Sequence, residues 1–231
     1  MPKVLDVIAN SLNADLQRFN NVSHNIANVN TAGFKSIDLV TKTTLSNIND
    51  SSLESRINFT NGNITKTERS LDFAITGNGF FLVQTPAGEH YITRNGSFII
   101  DNDMNLTTKE GYLVMGDQGA IQLSDNEINI DQSGNFLSKG QITNSFKIVL
   151  PNDLNKVDYI GASLFKIASG NDYQDTELKS IEQGALESSN ISSSAQMVEL
   201  IQLSRHMQSI QKAMQAYDHI LNSGINTLGQ R

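Results

Sequence analysis

The chain has 231 residues, 38% of them hydrophobic and 18% charged, enough for one sizeable core or for a core with long appendages. Its formal charge of −7 and scattered basic residues argue against a nucleic-acid footprint, and the absence of cysteine excludes disulfides, thiol catalysis and thiolate metal sites. It contains no run of about 18 apolar residues, so no membrane span is expected. Asp6, Asn10, Asn13 and Asp15 interrupt the first 20 residues, so no cleaved secretory signal is expected either.

The first predicted element is a helix over roughly residues 3–28. Leu5, Ile8, Leu12, Phe19, Val22, Ile26 and Val29 alternate steps of three and four, with Asp15 alone out of place. That spacing is the seam of a coiled coil, about 40 Å long at ~1.5 Å per residue. Gly33 is its natural stop. Residues 36–57 are polar and read as an extended connector. "RINFTNGNITKT" then reads as two short strands about an Asn61-Gly62 turn. From about Leu71 to Glu187 the period changes to two, in stretches such as "LDFAITGNGFFLVQ", "EHYITRNGSFIID" and "SFKIVLP". Asn78-Gly79, Asn95-Gly96 and Ser133-Gly134 punctuate them, and those between strands suit hairpins. The spacing predicts a small all-β domain.

The last element is a second long helix with a cleaner seam: Leu200, Leu203, Met207, Ile210, Met214, Tyr217, Leu221 and Leu228, missing at Gly224. Ser192, Ser193 and Ser194 are alternative N-caps, and Gln196 lies where a capping box begun by Ser193 needs it. The predicted fold is therefore α+β: a 1–35 helix and signature, a 36–70 connector with a hairpin, a 71–187 β-rich domain and a 188–231 helix. The two terminal helices pair as in a coiled coil. Val7, Leu16, Val198 and Ile201 lie off the seams and hint at a second interface.

No constellation calls for catalysis. Gly77-Asn78-Gly79 lacks the third glycine and the following helix of a dinucleotide site. "DNDMNLTTKEGY" has Leu106 and Tyr112 where a calcium loop needs glycine and glutamate, and reads better as a β-turn. His24, His90, His206 and His219 form no pair one helical turn apart. No cofactor and no metal site is expected.

"NIANVNTAGFK" (25–35) resembles the N-terminal signature of the flagellar axial proteins, matching at Asn25, Ala27, Asn28, Val29, Asn30, Thr31, Gly33, Phe34 and Lys35. "LDFAITGNGFFLV" (71–83), "YITRNGSF" (91–98), "GYLV" (111–114) and "QGALESSNISS" (183–193) follow in the family's order. The resemblance to the flagellar basal-body rod family implies a structural subunit, not an enzyme, of the torque-transmitting shaft in the periplasmic space. It implies copies of itself, other rod proteins and the flagellar export apparatus as partners, export without a cleaved signal, and neither nucleic acid nor direct membrane insertion. Length and the 184–218 segment lean to the proximal rod, with the distal rod as the alternative. A self-contained β-domain enzyme or binding module is the rival class.

Asn25, Asn28, Asn30 and Phe34, with Leu200, Leu203, Met207, Ile210, Met214, Tyr217 and Leu221, are the candidate assembly-interface residues, Asn25 and Asn28 contacting neighbouring subunits through their amides. Asn30 and Thr31 should turn the chain, Phe34 should anchor the turn against the C-terminal helix, and Lys35 should be solvated.

Overall fold

The computed structural model describes residues 2–43, 51–123, 128–138, 141–167, 172–176 and 180–228. In chain order the elements are α1 (Pro2–Ala27), β1 (Ile37–Thr43), β2 (Ser51–Ile57), β3 (Ile64–Lys66), β4 (Phe73–Ile75), β5 (Phe80–Gln84) and β6 (His90–Thr93). There follow β7 (Ile99–Ile100), β8 (Leu106–Thr107), β9 (Leu113–Gly116), β10 (Gly119–Ala120), β11 (Asn129–Ile130), β12 (Asn135–Ser138) and β13 (Gln141–Ser145). The chain continues through β14 (Ile148–Pro151), β15 (Val157–Gly161), β16 (Leu164–Ile167), β17 (Tyr173–Asp175), β18 (Ile181–Gln183) and β19 (Ala185–Glu187) to α2 (Ser193–Leu228). The α+β order is the one the sequence predicts. The polar connector, however, is a β1–β2 ribbon in its described part; residues 44–50 lie outside the described residues.

Two compact units divide the chain. One holds residues 1–27, 39–55 and 192–231, and the other holds 28–38 and 56–191. In the first, α1 packs against α2. Ser192 caps α2: its Oγ accepts from the Ala195 N–H and its carbonyl from the Gln196 N–H. Gln196 is thus freed from the capping box that the sequence suggested, and its side chain reaches Asn25 instead.

The second unit is built on β5, whose Phe-Phe-Leu-Val run is buried on both faces. Phe81 and Val83 enter a core with Phe73, Phe98, Phe136 and Phe146, while Phe80 and Leu82 enter another with Ile92, Val149 and Phe165. Phe146 is fully buried, with its ring centroid 4.8 Å from Phe136, 5.0 Å from Phe73 and 5.1 Å from Phe81. A strand buried on both faces reads as a continuous apolar run, which is why this stretch lacks clean alternation. Along one edge β5 pairs with β6, and the sheet runs on through β16 to β15. Along the other edge, Phe80 and Phe81 meet β14, and Val83 and Gln84 meet β9.

Four hairpin turns share one local design. In residues 85–89, 101–105, 108–112 and 131–135 the first N–H donates to the fifth carbonyl and the fourth N–H donates back to the first carbonyl. The first side chain, Thr or Asp, accepts from the fifth N–H. The fourth residue has positive φ in each: Gly88, Met104, Gly111 and Gly134. The calcium-like stretch is one of these turns, with Asp101 held below the usual carboxylate range by hydrogen bonds from Asn105, and Asp131 is lowered by Asn135 in the same way.

The three Asn-Gly pairs, by contrast, make no hairpins. β3 pairs with β19, β4 with β18, and β7 with β8, so each pair lies on a connection between strands that are not partners. At two of them the glycine serves close approach of backbones. A Cβ on Gly62 would lie 1.9 Å from the Ser188 carbonyl oxygen, and one on Gly96 would lie 1.8 Å from that of Phe73.

A two-residue turn joins β15 to β16 with Gly161 opposite Leu164. Its central residues, Ala162 (φ 51°) and Ser163 (φ 58°), both occupy the left-handed region that type I′ turns require and that Asn and Gly tolerate best. Ser163 is fixed by its Oγ donating to the Ala32 carbonyl, whereas Ala162 is exposed. Ala162→Asn should therefore raise the stability of this unit by about 0.5–1 kcal/mol, read as a higher midpoint in urea melts followed by circular dichroism.

Candidate functional site

In the helical unit α1 packs on α2, and the seam residues are buried to different degrees. Leu203 and Val22 are buried, Leu200, Met207, Ile210 and Tyr217 are partly buried, and Met214 is 37% exposed. The side chains of Leu5, Leu221 and Leu228 lie outside the described residues. As α1 advances from Asp15 to Asn25, α2 recedes from His206 to Gln196, so the helices run antiparallel. Asp15, the apparent break in the first seam, is in fact a buried member of it: its carboxylate lies 2.5 Å from Nδ1 of His206. Asn25 is buried, and its amide donates to Oε1 of Gln196 at 3.5 Å. A polar cleft of about 400 Å³ beside this pair is lined by Arg18, Asn21, Leu39, Glu199 and Gln202. Off the seam, Val7 is 66% exposed, Met197 53%, Val198 55% and Ile201 50%.

The end of the signature belongs to the other unit. Asn28 accepts through its carbonyl from the Thr31 N–H and through Oδ1 from the Thr31 hydroxyl, turning the chain after α1, while Asn30 is exposed. Phe34 is fully buried, edge-on to Tyr159 at 5.6 Å, where the sequence had placed it against the C-terminal helix. Lys35 also departs from expectation. It is fully buried, and its Nζ donates to Oε1 of Glu187 at 2.6 Å and to the Thr60 carbonyl at 2.7 Å.

Glu187 is shared. Its Oε1 also accepts from the Gly62 N–H at 2.9 Å, and its Oε2 lies 3.4 Å from Nε of Arg94. Arg94, 2% exposed, donates at 2.5 Å to both the Asn61 Oδ1 and the Gly77 carbonyl, and lies over the Phe80 ring. Burial pushes Lys35 and Arg94 below their ordinary values, and Glu187 partly opposes this at both. Asn190 completes the arrangement: its Oδ1 accepts from the Ser36 N–H and its amide donates to the Asn58 carbonyl at 2.8 Å. The Gly33 N–H meanwhile donates to the Glu187 carbonyl.

Lys35, Arg94 and Glu187 come from three separate motifs, "NTAGFK", "YITRNGSF" and "GALESSN", and close into one buried ionic clasp. The sequence offered a signal for it, since each motif carries one charge inside an apolar or turn context. The partners are too distant in the chain for spacing to pair them. The arrangement binds segment to segment and presents no nucleophile, base or metal set; among the described residues no cluster of three acidic or histidine ligands occurs.

The motifs that meet in the clasp fall within regions matched by known protein families. The family model "Flagella basal body rod protein" matches residues 5–35, "Flagellar hook protein FlgE/F/G D1 domain" matches 74–158, and "Flagellar basal body rod FlgEFG protein C-terminal" matches 182–228. The chain is 32% identical over 224 residues to the flagellar basal-body rod protein FlgF of Caulobacter vibrioides, covering 90% of this chain and 91% of that one. It is 30% identical over 266 residues to the rod protein FlgG of Borreliella burgdorferi, covering 98% of each. The chain belongs to the flagellar rod and hook family. With the hook protein FlgE of Brucella abortus it shares 32% identity over 154 residues, but these cover only 39% of that longer protein.

Proposed function

We propose that this chain is a non-catalytic building block of the rod, stacking with copies of itself and with other rod proteins through its terminal helices. α1 and α2 pair in coiled-coil fashion along the two seams. Their outer apolar residues, lying off the Leu200–Leu221 seam and the buried Asn25, meet neighbouring subunits. The observation that carries this reading is the patch of Met197, Val198 and Ile201 on the first turns of α2, all at least half exposed. An exposed apolar cluster on a helix asks for a protein partner. Among rod subunits we favour the proximal rod, in line with the 32% identity to FlgF of Caulobacter vibrioides over 90% of the chain. FlgG of comparable identity keeps the distal rod as the alternative. The subunit would work in the periplasmic space, delivered by the flagellar export apparatus without a cleaved signal.

The experiment is replacement of the chromosomal copy by Ile201→Asp. Rods isolated from the wild type should contain the chain, whereas the variant should be exported, should keep the β unit's melting curve, and should be missing from rods. Incorporation of the variant at wild-type levels would remove the helix patch as the interface. Labelling the incorporated chain and locating it along isolated basal bodies would separate proximal from distal placement.

A further inference from the structure

The chain carries three Asn-Gly pairs, and the fold treats them differently. At Asn61-Gly62 every group needed for reaction is occupied: Oδ1 accepts from Arg94, Nδ2 donates to the Gly77 carbonyl, and the Gly62 N–H donates to the Glu187 carboxylate. At Asn95-Gly96, Oδ1 accepts from the Ser97 N–H, the Asn95 N–H donates to Thr93, and the buried Gly96 is pressed against the Phe73 carbonyl. At Asn78-Gly79, Gly79 is buried too, but the nearest obstacle to a Cβ there is a side-chain methyl, Cγ2 of Ile148 at 2.5 Å, and not a backbone carbonyl. Asn78 is exposed between two glycines of positive φ, Gly77 and Gly79, and Gly77 borders open space. Neither the Asn78 amide nor the Gly79 N–H has a hydrogen-bond partner among the described residues.

We propose that Asn78 is a spontaneous modification site, the one Asn-Gly pair that the folded subunit leaves open to deamidation. The Gly79 backbone nitrogen gives up its proton to solvent base and attacks Cγ of Asn78. A C–N bond forms, the bond to Nδ2 breaks, and ammonia leaves, closing a five-membered succinimide. Water then opens the ring at either carbonyl to give aspartate or isoaspartate, and no oxidant or reductant takes part. At Asn61 the same attack would require a proton to leave an N–H that a carboxylate is stabilising and an amide to turn away from a guanidinium, both of which the hydrogen bonds oppose. At Asn95 the side-chain oxygen would have to leave the Ser97 N–H, and Gly96 is wedged against the Phe73 backbone, whereas the nearest atom at Gly79 belongs to a side chain. The product places a new carboxylate, or an extra methylene in the backbone, next to the Gly77 carbonyl that Arg94 holds. Modification therefore strikes at the rim of the clasp.

Trypsin separates the three pairs into peptides 57–66, 70–94 and 95–109. The full chain is incubated at mildly alkaline pH, native and in denaturant, then digested briefly and analysed by mass spectrometry for conversion of amide to carboxylate and for isoaspartate. Peptide 70–94 from the native chain should convert about tenfold or more faster than the other two, the factor expected where one charge-assisted hydrogen bond must break. In denaturant the three rates should converge, because the other two rise. Asn78→Gln should abolish the fast phase. Native conversion of 57–66 or 95–109 as fast as 70–94, no acceleration of 70–94 over them, or a fast phase that survives Asn78→Gln would overturn the proposal.

Discussion

Glu187→Gln should destabilise the β unit by about 3–5 kcal/mol, because it leaves two buried cations without a countercharge. Glu187 is 2% exposed and is the carboxylate shared by Lys35 and Arg94. Lys35→Met should cost less, since it leaves a balanced pair of one guanidinium and one carboxylate behind. The order of the two effects is thus a sharper test than either size alone. The double variant should be less destabilised than the sum of the singles, because contacting charges couple. Urea melts followed by circular dichroism give all three numbers. An exposed pair supplies the control: Lys166 and Glu89 meet at 3.0 Å with both side chains about half exposed, and Glu89→Gln should leave the melt nearly unchanged. If Glu187→Gln behaves like Glu89→Gln, the clasp is not the lock described above.

The same clasp shows where the sequence was legible and where it was not. The helices could be read because a seam is a local repeat, and the burial of Val22 and Leu203 follows it. Asp15 looked like a flaw because its partner, His206, stands near the far end of the chain. Lys35 was misread for a related reason. A lysine after a turn is usually solvated, and only the approach of Glu187 and Thr60 makes its burial tolerable. The Asn-Gly pairs misled in another way. Their hairpin signal is local, but two of the glycines are used for contact between backbones distant in sequence, which no local pattern reveals. The turns that do form hairpins follow another local code, a Thr or Asp first and a left-handed residue fourth. Met104 fills that fourth place without being glycine, which hides the pattern.

Gly33→Ala should rank with Glu187→Gln among the most damaging single changes, although it adds only one methyl group. Gly33 has φ +66°, a conformation that costs an L residue roughly 1 kcal/mol. Its new Cβ would also lie 2.3 Å from the Asn95 nitrogen and 2.4 Å from the Arg94 carbonyl carbon. Both obstacles are backbone, so no side chain can rotate away. The signature must move off the Arg94–Asn95 segment, drawing Lys35 from Glu187 and breaking the Gly33 N–H bond to the Glu187 carbonyl. Overlap of this kind adds about 1–3 kcal/mol or more to the conformational cost. Gly111→Ala isolates that conformational cost, since Gly111 has φ +84° and open space where its Cβ would go. It should lose only about 1 kcal/mol. Hydrogen exchange should separate the two variants further, with residues 33–36 and 185–190 losing protection together in Gly33→Ala and keeping it in Gly111→Ala. Equal melting curves for the two would mean that the chain relieves the contact cheaply, and that the invasion of Gly33 between its neighbours is not what holds the signature in place.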